Sequence, residues 1–321
     1  MTAGPTPAAE SSNREVAPEI AERLAALQAK YDVMGQDYVA YLDGLLHAEY
    51  LDYWDYIHLD TLLSLQTPRT PIPDERIFVT YHQITELYFQ LCVQAIEQVR
   101  EQDTLTLAFL KRQLGRLIRY FEQLVSSFDV MVHGMDREEF LKFRMALLPA
   151  SGFQSAQFRQ IEILSTDGYN LIHHEARGQY DHRSDPANYW HELYWKRGGL
   201  ELATGKKTLT LRRFERRYSR ELQELAEDTR DSNLNRLYRP WAGDEELVGL
   251  LRRYDELATV EWPLAHFRSA SRYLNRKPAV IEATGGTNWQ QYLPPRFKRV
   301  TFFPEVWTED ELASWGKASR A

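Results

Sequence analysis

Apolar residues recur at steps of three and four along most of the chain, the spacing that aligns side chains on one face of an α-helix. Ile20, Leu24, Leu27, Tyr31 and Met34 mark a first amphipathic helix, with Gly35 its interruption. The stretch YWDYIHLDTLLSLQ predicts a second helix, closed by TPRTPIPDE, whose prolines forbid continuation. Phe78, His82, Thr85, Phe89 and Cys92 form one stripe of a third helix. Ile77, Tyr81, Ile84, Tyr88 and Leu91 form a neighbouring stripe that is also apolar, so this helix is expected to be buried almost all round. Leu110, Leu114, Leu117, Phe121, Leu124, Phe128 and Met131 carry the same period through a long helix of bundle type.

The pattern lapses over about 175 to 207, where EARGQYDHRSDPANYW and RGGLELATGKK are polar and irregular. It resumes with Leu211, Phe214, Tyr218, Leu222 and Leu225, on a helix whose other side holds Arg212, Arg213, Arg216, Arg217 and Arg220. Residues 175–230 read as an insertion or a small helical subdomain. Asp244 is a plausible N-cap for the long stretch DEELVGLLRRYDELATVEWPLAHFRSASRYL, which makes one helix or two broken near Pro263. No alternating pattern strong enough for a sheet and no internal repeat appears. The fold class expected is all-α: a disordered tail over 1–18, then one helical domain over 19–321.

Composition narrows the choice of function. The net charge of −7 argues against nucleic acid as a partner, and makes the basic helix face a solvated or partner-facing side. The single cysteine, Cys92, excludes an internal disulfide framework and cysteine-rich metal sites, and its apolar stripe marks it as a packed thiol. No apolar run approaches the roughly 18 residues that span a bilayer. The first residues, MTAGPTPAAESSNREVAPE, lack the apolar core of a secretory signal, so a cytoplasmic protein without a membrane partner is expected.

Four elements carry candidate chemistry. His82 sits on an apolar face, where a fully hydrogen-bonded core histidine is one reading and a pocket residue the other. His266 shares a second such face with Trp262, Ser269 and Tyr273. Two such helices, facing each other in a bundle, can hold two imidazoles across a flat cofactor, one ligating iron and one facing its open side. Two structural histidines are the alternative. Arg144 stands among Phe143, Met145, Leu147 and Leu148 and needs an anion, either a buried carboxylate of the protein or a substrate acid. Thr284 in ATGGT offers a hydroxyl and open backbone N–H groups to an anion, or simply makes a glycine turn. His173 and His174, with Glu175, read as a solvated loop.

The segments YWDYIHLDTLLSLQ, DERIFVTYHQITELYF, FRMALLPASGFQSAQFRQIE, EWPLAHFRSASRYL and EATGGTNWQQYL, in this order, resemble the tryptophan 2,3-dioxygenase family. The resemblance covers about residues 50 to 310. It implies an all-helical bundle enclosing a haem pocket, a homotetramer, and non-covalent haem b with one iron per subunit. The implied reaction opens the indole ring of L-tryptophan with O2 to give N-formylkynurenine. Carried over by motif, His266 resembles the proximal iron ligand and His82 the distal histidine that meets the indole N–H. Arg144 and Thr284 match the residues that hold the amino acid's ends, Phe78 an aromatic of the indole pocket, and Ser151 and Gly152 the turn beside haem and substrate. Tyr53, Tyr56 and Ile57 match a segment contributed by a neighbouring subunit.

Several positions depart from that pattern. Phe140, one turn before Arg144 in the substrate pocket, stands where many members have tyrosine, which removes one hydrogen bond to the carboxylate. Tyr88 replaces a tryptophan, Ile57 replaces a leucine, and the loop from His266 to Thr284 is longer than in many relatives. Two alternatives stay open: a related histidine-ligated haem oxygenase that hydroxylates another aromatic amino acid such as a tyrosine, and a non-catalytic haem-binding protein.

Overall fold

A computed structural model describes residues 16–49, 51–201, 204–274, 290 and 293–317. Among these the regular structure is helical, and two isolated β-bridges, Ile172 to Leu193 and Leu200 to Lys207, are the only extended pairings. No described helix is long and apolar enough to cross a membrane. The expected tail lies outside the described residues as far as residue 15, and Thr284 with its ATGGT turn also lies outside them.

The chain forms two compact units, Met1–Leu65 and Gln66–Ala321. The first contains α1 (Pro18–Val33), α2 (Tyr38–Leu46), α3 (Tyr53–Tyr56) and α4 (Leu59–Ser64). Gly35, at φ 63°, adopts the left-handed conformation that ends the α1 segment, and the Asp37 carboxylate caps α2 through the Val39 and Ala40 N–H groups. The second predicted helix is two short ones, because His58 also takes a positive φ of 51° between them. Short helices with interrupted stripes bury little. Tyr38, packed by Tyr31, is the only core-buried apolar residue described in this unit.

The second unit is built on α5 (Asp74–Arg100) and α6 (Leu107–His133). Thr106 caps α6 through the Phe109 N–H, and the whole predicted stripe from Leu110 to Met131 is buried. On α5 the buried stripe is Tyr81, Thr85, Phe89, Cys92, Ile96 and Val99. The second apolar stripe is only partly buried: Tyr81 is, Ile77 and Tyr88 are half-buried, and Ile84 and Leu91 are exposed in the single chain, as is their neighbour Leu87. One face of α5 packs on α6, while Ile84, Leu87 and Leu91 are left uncovered by the described residues of this unit. Cys92 is fully buried, and that burial pushes its thiol pKa far up, as a packed thiol requires.

Around this pair pack α7 (Arg137–Phe143), α8 (Ala156–Ser165), α13 (Glu245–Glu256) and α14 (Trp262–Leu274). Asp244 caps α13 through the Leu247 N–H, as its position predicted. The helix does not break at Pro263. A single π-turn over Leu257–Glu261 joins α13 to α14, placing the wide turn where proline cannot donate. The middle region contributes short helices, among them α9 (Pro186–Tyr189) and α10 (Tyr194–Arg197), and the longer α11 (Leu209–Asp228). Trp190, Leu193, Trp195, Leu211 and Phe214 belong to the same apolar core as α5 and α6. α12 (Leu234–Leu237) precedes α13, and α15 (Pro295–Lys298) is the next described helix after α14.

Candidate active site

A cavity of about 540 Å3 lies among α5, α6, α7, α8, α14 and α15. That is within the roughly 300–1,000 Å3 of sites that enclose a small organic ligand. His82 and His266 both line it, as do Phe78, Phe140, Ser151 and Gly152. Six of the residues singled out in the sequence therefore meet at one place.

His82 projects from α5 into the cavity, where its side chain is accessible in the single chain, and stacks near Phe78, with ring centroids 4.1 Å apart. Its Nδ1 lies 2.7 Å from the Phe78 carbonyl oxygen. A carbonyl only accepts, so Nδ1 carries the proton and Nε2 is left as an acceptor. The ring is open to the cavity yet surrounded by the bundle. That burial lowers its pKa, outweighing the Phe78 bond and the Glu86 charge. His82 is a neutral ring with one committed donor and one available lone pair.

His266 lies on the α14 face with Trp262, Ser269 and Tyr273, all cavity residues. Its ring stacks near Phe128, centroids 5.8 Å apart and planes at 18°. Burial, then the charge of Lys298, then His82, pull its pKa down to about 4. A neutral imidazole with depressed basicity keeps its nitrogen lone pair free near neutral pH. Gly152 is glycine for a visible reason: a Cβ there would stand 3.0 Å from His266 Cε1. The turn that carries it is fixed by the side chains around it. Ser151 N–H donates to Gln154 Oε1 at 2.9 Å, Gln154 donates to the Thr210 carbonyl at 3.2 Å, and Ser155 caps α8.

Among the described residues no three His, Cys, Asp or Glu side chains gather to hold a metal ion alone. A neutral histidine such as His266 in an apolar wall would suit a metal that arrives with most of its ligands supplied by a planar organic ring. The wall fits such a ring, with Phe89, Phe128, Trp262 and Leu274 on its apolar side. It also has a polar, cationic side formed by Arg159, Tyr194 and Lys298.

The remaining predicted residues are placed differently. Arg144 is buried in the turn after α7, with Nη2 3.7 Å from the Met145 sulfur, and is not among the residues lining the cavity. Phe140 and Leu147, on either side of it, do line the wall. Tyr53 and Tyr56 are 71% and 74% exposed in the first unit, where Ile57 also lies. The sequence reading missed His173, which lies in the cavity wall rather than in a solvated loop, and the cations Arg159 and Lys298. Arg159 had a visible signal. It is three residues from Glu162, both embedded in the apolar run of α8. Lys298 had none, since only the return of the chain after residue 293 brings it to the wall.

Comparison with known proteins agrees with the geometry. A tryptophan 2,3-dioxygenase family model matches residues 45–188. The chain is similar to the tryptophan 2,3-dioxygenase of Ruegeria sp. (strain TM1040), 31% identical over 283 residues, covering 81% of this chain and 92% of that protein. It is likewise 31% identical to that of Bordetella parapertussis (strain 12822 / ATCC BAA-587 / NCTC 13253) over 274 residues, covering 80% and 89%. A shorter match, 43% identical over 125 residues, is to tryptophan 2,3-dioxygenase 2 of Ralstonia nicotianae (strain ATCC BAA-1114 / GMI1000), covering 36% and 34%. An all-α unit whose cavity gathers the histidines, aromatics and glycine turn of this motif set, with similarity over four-fifths of its length, is a member of the tryptophan 2,3-dioxygenase family.

Proposed function

We propose that the protein binds haem b through His266 and uses O2 to open the indole ring of L-tryptophan, giving N-formylkynurenine. The observation that carries this reading is the pairing of two neutral histidines in one cavity, His266 without a hydrogen-bond partner among the described residues and His82 with one open acceptor. Haem supplies the iron that activates O2. The chain supplies everything that orients the reactants.

His82 is set to accept the indole N–H at Nε2, because its Nδ1 proton is committed to the Phe78 carbonyl. Phe78 and Phe140, centroids 6.2 Å apart, provide apolar walls for a flat bicyclic ring. The depressed basicity of His82 keeps the ring an acceptor rather than a cation at neutral pH. Arg144 and Thr284 bind the carboxylate and ammonium ends of the amino acid, as the family motif implies. An indole offers few polar handles, so the head group fixes its orientation. Tyr53, Tyr56 and Ile57 complete the site of a neighbouring subunit in a homotetramer. The exposed aromatic surface of the first unit supports this assembly.

A second reading is favoured by Phe140. A phenyl group that cannot hydrogen-bond stands where many members present a tyrosine, which suits an altered aromatic amino acid and a hydroxylation in place of ring opening. Both readings are tested by reducing the haem-loaded protein without air, then adding 18O2 and L-tryptophan. Incorporation of two labelled oxygen atoms into N-formylkynurenine is the result expected. In a parallel reaction with a tyrosine and an added two-electron reductant such as ascorbate, which carries the second oxygen atom to water, incorporation of one labelled atom into an intact aromatic ring would select the hydroxylase. No product from L-tryptophan or another aromatic amino acid would leave a non-catalytic haem protein.

A further inference from the structure

The polar side of the cavity has an unbalanced charge ledger. Arg159 and Glu162 are both buried and face each other on α8, Nη1 to Oε2 at 2.9 Å. Tyr194 closes the pair, accepting from Arg159 at 3.2 Å and donating to Glu162. One cation and one carboxylate therefore neutralise each other. Lys298 brings a second cation to the same wall, its Nζ 5.6 Å from the centre of the Tyr194 ring. It makes no ion pair within 4.0 Å among the described residues. Glu162 acts on it only from a distance, and that carboxylate is already taken by Arg159. A half-buried ammonium without a carboxylate partner of its own carries a desolvation cost. Burial and the Arg159 charge accordingly pull its pKa down to about 8. An anion entering the cavity relieves that cost.

The position says which anion. Lys298 is one of the charges acting on His266, whereas the carboxylate acting on His82 is Glu86. Lys298 stands by Tyr194 of α10, whereas the Phe78 and Phe140 walls assigned to the substrate ring come from α5 and α7. A haem carries its carboxylates on flexible arms at one edge of a hydrophobic plane, which matches a wall that is apolar on one side and cationic on the other.

We propose that Lys298, backed by the Arg159–Glu162–Tyr194 cluster, is a carboxylate-binding site that takes a propionate arm of the haem. The inference rests on the haem reading above and adds to it a residue that selects and orients the cofactor. A substrate carboxylate is the other source of the same chemistry, and the test separates the two.

The experiment titrates the full-length apoprotein with haemin and with haemin dimethyl ester, in wild type, Lys298→Met and Lys298→Arg, with circular dichroism as the check on folding. Wild type is expected to bind haemin about tenfold or more tighter than the ester, the scale of one charge-assisted hydrogen bond. In Lys298→Met the gap should close to within about twofold, by weaker haemin binding with the ester unchanged, and Lys298→Arg should reopen it. Equal wild-type affinity for haemin and ester overturns the inference alone, as does a Lys298→Met variant that weakens both alike. An unchanged gap, with L-tryptophan binding weakened in Lys298→Met, assigns the site to the substrate and overturns it too. Should Lys298→Met fail to fold, the comparison of haemin with its ester in wild type and Lys298→Arg still decides. No haemin binding to folded wild type overturns the haem reading and this inference with it.

Discussion

Two clusters of polar groups in the second unit differ: one is buried and saturated, and the other borders the cavity and is not. Where α13 meets the C-terminal segment, Asp255 accepts the N–H groups of Phe302 and Phe303 at 2.8 and 3.2 Å and the Trp307 indole at 3.0 Å. Ser165 and Tyr254 share a hydrogen bond of 2.8 Å, and Asn235 donates to the Phe302 carbonyl at 2.9 Å. The groups of this cluster answer each other within the fold. In the cavity, by contrast, His266 and Lys298 have no hydrogen-bond or ion-pair partner among the described residues, and His82 uses only one ring nitrogen. Buried polar groups are nearly always paired in folded proteins. A saturated cluster therefore holds the fold, while an unsaturated one bordering a cavity is built to be completed by something else.

Substitutions should separate the two regions. The largest loss of stability is expected for Asp255→Ala, which strands three buried donors. The cost should be on the order of 3–5 kcal/mol in denaturant unfolding, with little direct effect on ligand affinity in whatever fraction stays folded. Next, on the proposed function, Arg144→Ala should lower kcat/KM for L-tryptophan by roughly a hundredfold or more, about 3 kcal/mol. Arg144→Lys should recover only part of it. Tryptamine, lacking the carboxylate, should bind wild type poorly and lose little more in Arg144→Ala. Equal losses for both ligands, with reduced thermal stability, would make Arg144 a structural residue. Tyr254→Phe should cost about 1 kcal/mol, the worth of one buried hydrogen bond, visible in the unfolding midpoint alone. Smallest of all, His266→Ala should change apoprotein stability by less than about 1 kcal/mol, because no hydrogen bond is lost. A larger destabilisation would place His266 with the structural cluster.

Much of this division was legible in the sequence. The α6 stripe and the Asp244 cap followed from period and spacing, and the two histidines stood out because an imidazole on an apolar helical face asks for a reason. The SGFQS block located the turn that bears on His266, yet only coordinates show how closely a Cβ at Gly152 would press on that ring. Less legible was anything decided by tertiary return. Asp255 reads as one more charged helix residue until Phe302, Phe303 and Trp307 close over it. The split of YWDYIHLDTLLSLQ into two helices depends on the positive φ of His58, for which its apolar pattern gives no sign. The exposure of Ile84, Leu87 and Leu91 shows the converse limit. Periodicity reports that a face is apolar, and not whether the same chain covers it.

The central claim, that the unsaturated histidine of the cavity is the cofactor's donor, is tested most directly by haemin titration of His266→Gly with and without free imidazole. Wild type should take up one haemin per chain and, once reduced, show the absorption and resonance Raman signature of histidine-ligated iron. His266→Gly should lose that signature, and added imidazole should restore it by entering the space the side chain leaves. A His266→Gly protein with the stoichiometry and spectrum of wild type, in the absence of imidazole, would contradict the account.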